Sequence, residues 1–246
     1  MPSPAGPAVP HEKIHNREKK VDTIHQRLNK LRAGVLGAND GIVSVAATVI
    51  GVAAALPENL AAIATAGFAA VSAGAFSMAA GEYVSVSTQR DTEKAIVDRV
   101  KTGATSDAIS LITEVVDDLK ERGVTPQLAE RAAAEMFAHD PIDAVARVEG
   151  IDPDDLVNPW HAAIASFFAF IAGALLPMAA ILLFPTSIRI PVTFVSVILA
   201  LVLTGWFSAR WGGADPKRAA FRTVIGGALG MAFTYGVGLL FNVGLS

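Results

Sequence analysis

Asn39-Asp40-Gly41 stands between the apolar stretches VLGA and IVSVAATVIG. A carboxylate in the middle of a membrane helix costs about 2.5–3.5 kcal/mol on insertion scales, so an acid kept there is a candidate for handling a cation or a proton. In the alternative reading Asp40 sits near the membrane interface, where it snorkels or caps a helix broken at Asn-Asp-Gly, a turn-forming triplet.

A second constellation, SMAAGEYVSVS, places Met78 and Glu82 four residues apart and so on one helix face. A thioether beside a carboxylate suits a borderline cation such as Fe²⁺ or Mn²⁺: the carboxylate supplies charge, and the softer sulfur weakens the preference for Mg²⁺ and Ca²⁺. A lone methionine in a membrane helix is ordinarily packing. Met78 gains weight because its helix and that of Asp40 form a hairpin in which both residues lie toward the same end. Asn39 adds an amide oxygen. The chain has no cysteine, which excludes thiolate sites, iron–sulfur clusters and disulfides.

The elements that position these residues are membrane spans. Of the 246 residues 52% are hydrophobic but only 7% aromatic, and the excess is Ala, Val, Leu, Ile and Gly in long runs, as lipid requires. Five runs are long enough to cross a bilayer, near 33–56, 60–83, 160–184, 190–209 and 221–242. LPEN joins the first two and PTSIR the third and fourth, both short turn sequences. The expected fold class is an all-α membrane protein, five transmembrane helices with a cytosolic helical insert between the second and third. It divides into a basic N-terminal segment (1–32), a transmembrane hairpin (33–83), an acidic insert (84–159) and spans three to five (160–246).

Lys and Arg set the orientation. With the N-terminus in the cytosol, all twenty fall on the cytosolic side except Arg189. The C-terminus, after an odd number of spans, is then extracytosolic. No apolar region precedes the first span, so a cleavable signal peptide is not expected, and a bacterial plasma membrane is the expected location.

The insert carries sixteen acidic residues. Ile109, Ile112, Val116 and Leu119 keep a helical period that stops at Gly123. Thr125-Pro126 and Asp140-Pro141 each restart a helix as N-cap and first residue. About 75 residues of short helices hold no catalytic domain of ordinary size, which suggests a cap, a gate or a metal-collecting module. Among the spans, Gly226-x-x-x-Gly230 matches a close-packing pattern, Pro177-Met178 marks a candidate kink, and Met231, Thr234 and Tyr235 read as packing. Trp160 and His161 read as interfacial anchors.

LRAGVLGANDGIVSVAATVIGVAAA followed by AGAFSMAAGEYVSVSTQRDTEKA resembles the vacuolar iron transporter family, and the likeness covers the whole layout. The resemblance implies export of Fe²⁺, often also Mn²⁺, from the cytosol in exchange for protons, by a homodimer whose pathway lies between the first spans of its subunits. It places Asp40 and Met78 at the membrane metal site, with Glu82 a nearby carboxylate for metal or proton. It also implies glutamates along the first two insert helices, and here the chain departs: Val100, Gly103 and Leu111 occupy such positions and Glu114 remains. Glu93, Asp98, Asp107, Asp117 and Asp118 are left either as a weaker metal site or as a solvated face.

The expected function is therefore divalent-metal transport by alternating access around Asp40 and Met78. Asn39 and backbone carbonyls at a break near Gly41 would help to dehydrate the ion, and Glu93 and Glu114 are insert candidates. No permanently bound cofactor is expected, since Fe²⁺ or Mn²⁺ is the cargo, and no nucleic-acid partner. An enzyme is not expected: HExxH is absent and Asp40 with Glu82 is the only possible acid pair for an intramembrane protease. A metal-storage role is disfavoured by the missing glutamates.

Overall fold

A computed structural model describes residues 11–153 and 156–245, with side chains for residues 32–104, 106–153 and 156–242. The Pro-rich opening and the basic side chains before Arg32 lie outside the described residues. The described chain is helical without a strand: α1 (His11–Ala55), α2 (Leu60–Ser106), α3 (Ala108–Glu121), α4 (Pro126–His139), α5 (Pro141–Val148), α6 (Pro159–Leu183), α7 (Thr186–Gly212) and α8 (Pro216–Leu245). Five of these, α1, α2, α6, α7 and α8, are long and apolar enough to cross a membrane. The chain forms two compact units, one containing Val84–Pro159 and the other Thr23–Tyr83 with the chain from Trp160 onward.

In the membrane unit α1 is the central helix. One stripe of it, Val45, Val49 and Ala53, is buried with Ile63 and Ala75 of α2 and with Phe170, Ala174, Met178 and Ile181 of α6. The neighbouring stripe, Ile42, Ala46 and Ile50, is buried with Val197 and Leu201 of α7 and Met231 of α8. Backbones touch where glycines remove the side chain. Gly37 and Gly41 lie against Ser166 and Phe170 of α6, and Gly173 of α6 lies against the Ala38 carbonyl. At the other end Gly238 of α8 meets the Gly51 carbonyl of α1.

Helix ends follow local chemistry. The Asn59 side chain accepts from the Ala62 N–H (3.0 Å) and starts α2. Asn242 of α8 donates Nδ2–H to the carbonyls of Ala54 (3.2 Å) and Ala55 (3.0 Å), satisfying acceptors that the end of α1 leaves open. Asp215 accepts from the Lys217 N–H (2.9 Å) at the start of α8, and Gly213, with φ +73°, closes α7 in the left-handed conformation. Arg189 is buried beside the α1–α2 turn. Its Nη2 donates to Thr186 (3.0 Å) and Nη1 reaches the Pro57 carbonyl (3.5 Å), while Nε has no partner.

Several expectations need correction. α1 runs unbroken through Asn39-Asp40-Gly41, so no break exposes backbone carbonyls there. Gly41 serves close packing instead. α2 continues 23 residues past the expected end of its span, to Ser106, because helical hydrogen bonding outlasts the apolar run. Within the chain Gly226 has open space around it and a Cβ at Gly230 would meet Val43 at 3.8 Å, an ordinary contact; the α8 glycines packed most closely are Gly227, against Leu201, and Gly238.

The other unit has its own core, Val100 of α2 with Leu111, Val115 and Val116 of α3, Ala129, Ala133 and Phe137 of α4, and Ala144 and Val145 of α5. The two helix starts at Pro126 and Pro141 occur as read from the sequence, and Asp140 caps α5 by accepting from the Ile142 (2.9 Å) and Asp143 (3.0 Å) N–H groups. Of the periodic residues read on α3, Val116 is buried in this core and Ile112 and Leu119 pack against it, while Ile109 does not take part. Leu111, Val115 and Val116 point inward and Ile109 is 82% exposed.

Candidate metal site

Asp40 lies on α1 eight residues in from Arg32, where the span begins, or about 12 Å along the axis. It is exposed, on the side of α1 that neither buried stripe occupies. The Ser44 hydroxyl donates to the Asp40 carbonyl (2.6 Å) and the Thr48 hydroxyl to the Ser44 carbonyl (2.8 Å). With their hydrogens committed to the backbone, these hydroxyls keep oxygen lone pairs free. Asp40, Ser44 and Thr48 thus form a slanting line of oxygens at four-residue steps on a span whose one other polar side chain past Arg32 is Asn39. Sequence reasoning passed over the two hydroxyls; the i, i+4, i+8 spacing from Asp40 was the available signal.

The other membrane candidates lie on different faces. Asn39 is half-buried and lines a cavity toward α7 and α8, with its Oδ1 buried and without a hydrogen-bond partner. Met78 is partly buried against the α1–α2–α6 core that contains Val45, Val49 and Phe170. Glu82, one turn further along α2, is half-buried and has no hydrogen-bond or ion-pair partner among the described residues. Gly41 rests on the Phe170 backbone and Gly74 on its ring, so α1 near Asp40 and α2 one turn before Met78 both pack on the same α6 residue. Among the described residues no three of His, Asp and Glu come together as a metal-binding group.

In the insert, five of the six acids left by the departure from the glutamate pattern are engaged by protein groups, while Asp107 makes no side-chain cap bond at the start of α3. Arg99 Nη2 pairs with Glu114 (3.1 Å) and Glu149 (3.6 Å). Glu93 accepts from Gln89 Nε2 (2.9 Å) and from the Val157 N–H (3.2 Å). Asp98, Asp117 and Asp118 pair with Lys101, Lys120 and Arg122 one turn away on their own helices. Val100 and Leu111, two of the positions where glutamates were expected, are core residues, and the third, Gly103, faces Leu111. These positions are filled by apolar packing.

The comparisons agree with this layout. A model of the VIT family matches residues 31–239. The chain is 39% identical over 213 residues to a vacuolar iron transporter of Acanthamoeba castellanii, covering 85% of this chain and 78% of that protein. It is 35% identical over 229 residues to vacuolar iron transporter homolog 2.1 of Arabidopsis thaliana, covering 92% and 89%. With vacuolar iron transporter homolog 1 of Oryza sativa subsp. japonica it shares 35% identity over 218 residues, covering 88% and 76%. Together with the five spans and the Asp40 and Met78 segments, these matches show that the chain belongs to the vacuolar iron transporter (VIT) family, a family of membrane transporters.

Proposed function

We propose that this protein moves Fe²⁺ or Mn²⁺ across its membrane in exchange for protons, as a homodimer with Asp40 in the ion path. The observation that carries the reading is the place of Asp40: well inside a span, on the open side of the central helix, continued by Ser44 and Thr48. A carboxylate facing lipid at that depth is unfavourable by about 2.5–3.5 kcal/mol, a cost removed when another protein surface or water covers it. A second copy of α1 laid against the same face supplies both the cover and a second carboxylate. The names of the relatives support iron as cargo.

Met78 and Glu82 provide the thioether and second carboxylate of the site when α2 moves relative to α1, while Asn39, turned to the α7–α8 side, stays out of it. Hard oxygens hold the charge and the thioether favours the borderline ions. Protonation of Asp40 and Glu82 on the far side removes the negative charge that holds the ion, which couples metal release to proton entry. The distribution of Lys and Arg supports an N-terminus and insert in the cytosol and transport outward from it.

The test is metal flux into proteoliposomes under a pH gradient, with Fe²⁺, Mn²⁺, Co²⁺ and Zn²⁺ compared and wild type run beside Asp40→Asn. Flux driven by the gradient and lost in the variant is the expected result. Full transport by Asp40→Asn would end this mechanism.

A further inference from the structure

A cavity of about 350 Å³ opens between α1, α7 and α8, away from the exposed Asp40 face. Its polar lining is Arg32 and Asn39 of α1, Thr204 and Ser208 of α7, and Arg222 and Thr223 of α8. Among the described residues neither guanidinium has a carboxylate partner, whereas Arg218, one turn before Arg222, pairs with Asp215. Two unpaired arginines make this cavity hostile to a divalent cation, so it is no part of the metal path. It is suited to an anion, and the fork of a guanidinium matches a phosphate in particular.

The remaining groups narrow the ligand. Thr204 and Thr223 spend their hydroxyl hydrogens on the carbonyls of Ala200 (3.0 Å) and Ala219 (2.9 Å), so toward the cavity they can only accept. Asn39 Oδ1 is a buried acceptor with no donor, a state that a ligand hydroxyl would relieve. The cavity therefore offers two cationic donors for a phosphate and three acceptors for hydroxyl groups. An inorganic phosphate uses the first set and leaves most of the second unmatched; a glycerophosphate headgroup uses both.

The surroundings place this chemistry at headgroup depth. Trp206, Phe207 and Trp211 cluster in the last turns of α7, with ring centroids 5.1 Å and 6.0 Å apart, and Arg210 lies 5.7 Å over the Trp206 ring. Trp211 is 62% exposed and Leu36, also on the cavity wall, 49%. Exposed tryptophans beside basic residues mark the membrane interface, and basic pockets between spans at that level accept lipid phosphates.

We propose that the α1–α7–α8 cavity binds the headgroup of an anionic phospholipid of the phosphatidylglycerol type, with Arg32 and Arg222 on the phosphate and Asn39, Thr204 and Thr223 on the glycerol hydroxyls. The site ties α1, the central helix, to the α7–α8 pair through the lipid.

The full-length protein in detergent is given phosphatidylglycerol, phosphatidylcholine or inorganic phosphate, and lipid retention is read by native mass spectrometry alongside thermal unfolding. Phosphatidylglycerol should be retained and should raise the Tm, and phosphatidylcholine should do neither. Arg32→Gln and Arg222→Gln should each lower retention about tenfold, the loss of one charge-assisted contact. Arg218→Gln should leave it unchanged, since Arg218 is 90% exposed and paired with Asp215. Should either Gln variant fail to fold, Arg32→Lys and Arg222→Lys keep the charge without the fork and should retain an intermediate amount. Retention unaffected by Arg32 and Arg222 substitutions, or lowered equally by Arg218→Gln, overturns the proposal. Stabilisation by inorganic phosphate as large as that by phosphatidylglycerol overturns the lipid as occupant.

Discussion

Gly41 of α1 lies directly on the backbone carbonyl of Phe170 in α6, leaving no room for even a methyl group on the glycine. The residue next to the candidate metal ligand is thus the contact that fixes how deeply α1 beds against α6. Gly41→Ala should push the two helices apart and cost about 1–3 kcal/mol, the usual range for overpacking. Gly34→Ala is the control: nothing lies within 4 Å of the added carbon. Replacing that helical glycine should raise stability by about 0.5–1 kcal/mol. Thermal unfolding in detergent, with opposite shifts for the two variants, checks the contrast.

The difference between those glycines explains how far the sequence could be read. The length of the apolar runs revealed the five spans because lipid depth dictates it. The same runs said nothing of where α2 ends, since a helix leaving lipid keeps its hydrogen bonds. Asn39-Asp40-Gly41 looked like a turn because those residues form turns in water. In the bundle the triplet is helical, and which face Gly41 turns to α6 is decided by a partner some 130 residues away. Asp40 and Asn39 were legible as polar residues in the wrong solvent. That they point to different places, one to open surface and one to a cavity, was a matter of helix rotation that composition does not encode.

The oxygens beyond Asp40 make a separate prediction. If ions pass along the open side of α1, Ser44→Ala and Thr48→Val should lower metal flux several-fold while leaving the Tm nearly unchanged, because both hydroxyls bond only to their own helix. Such internal bonds contribute little to helix stability. Flux through proteoliposomes carrying each variant, with Ser196→Ala as a control hydroxyl on α7 that likewise bonds within its own helix, separates a path along α1 from a general effect of lost polarity.

Arg99 draws Glu114 and Glu149 to a single cation, at 3.1 Å and 3.6 Å. The pairs are half-exposed, so removing the guanidinium should cost little stability, well under about 1 kcal/mol. It should leave two neighbouring carboxylates without a cation. Arg99→Gln in the full-length protein should therefore bind Mn²⁺ or Zn²⁺ more tightly than wild type does, seen by isothermal titration, and Arg99→Gln/Glu114→Gln should lose that gain. Tight metal binding by wild type at these residues would show that the guanidinium moves aside.

The lack of cysteine gives a direct test of which surface covers Asp40. Ala47 lies seven residues beyond Asp40 and so on nearly the same side of α1. In a dimer with α1 against α1, Ala47→Cys should form a disulfide between subunits on mild oxidation in membranes, since its Cα would come within the roughly 7 Å such a bond spans. Phe233→Cys, on a 73% exposed position of α8, should remain monomeric. The crosslink should also form less readily when Mn²⁺ is present, because an ion held by two Asp40 carboxylates fixes the separation of the helices. Efficient crosslinking at Phe233 and none at Ala47 would place the subunit contact on α8, and the open face of α1 would then need water, not protein, to keep its carboxylate charged.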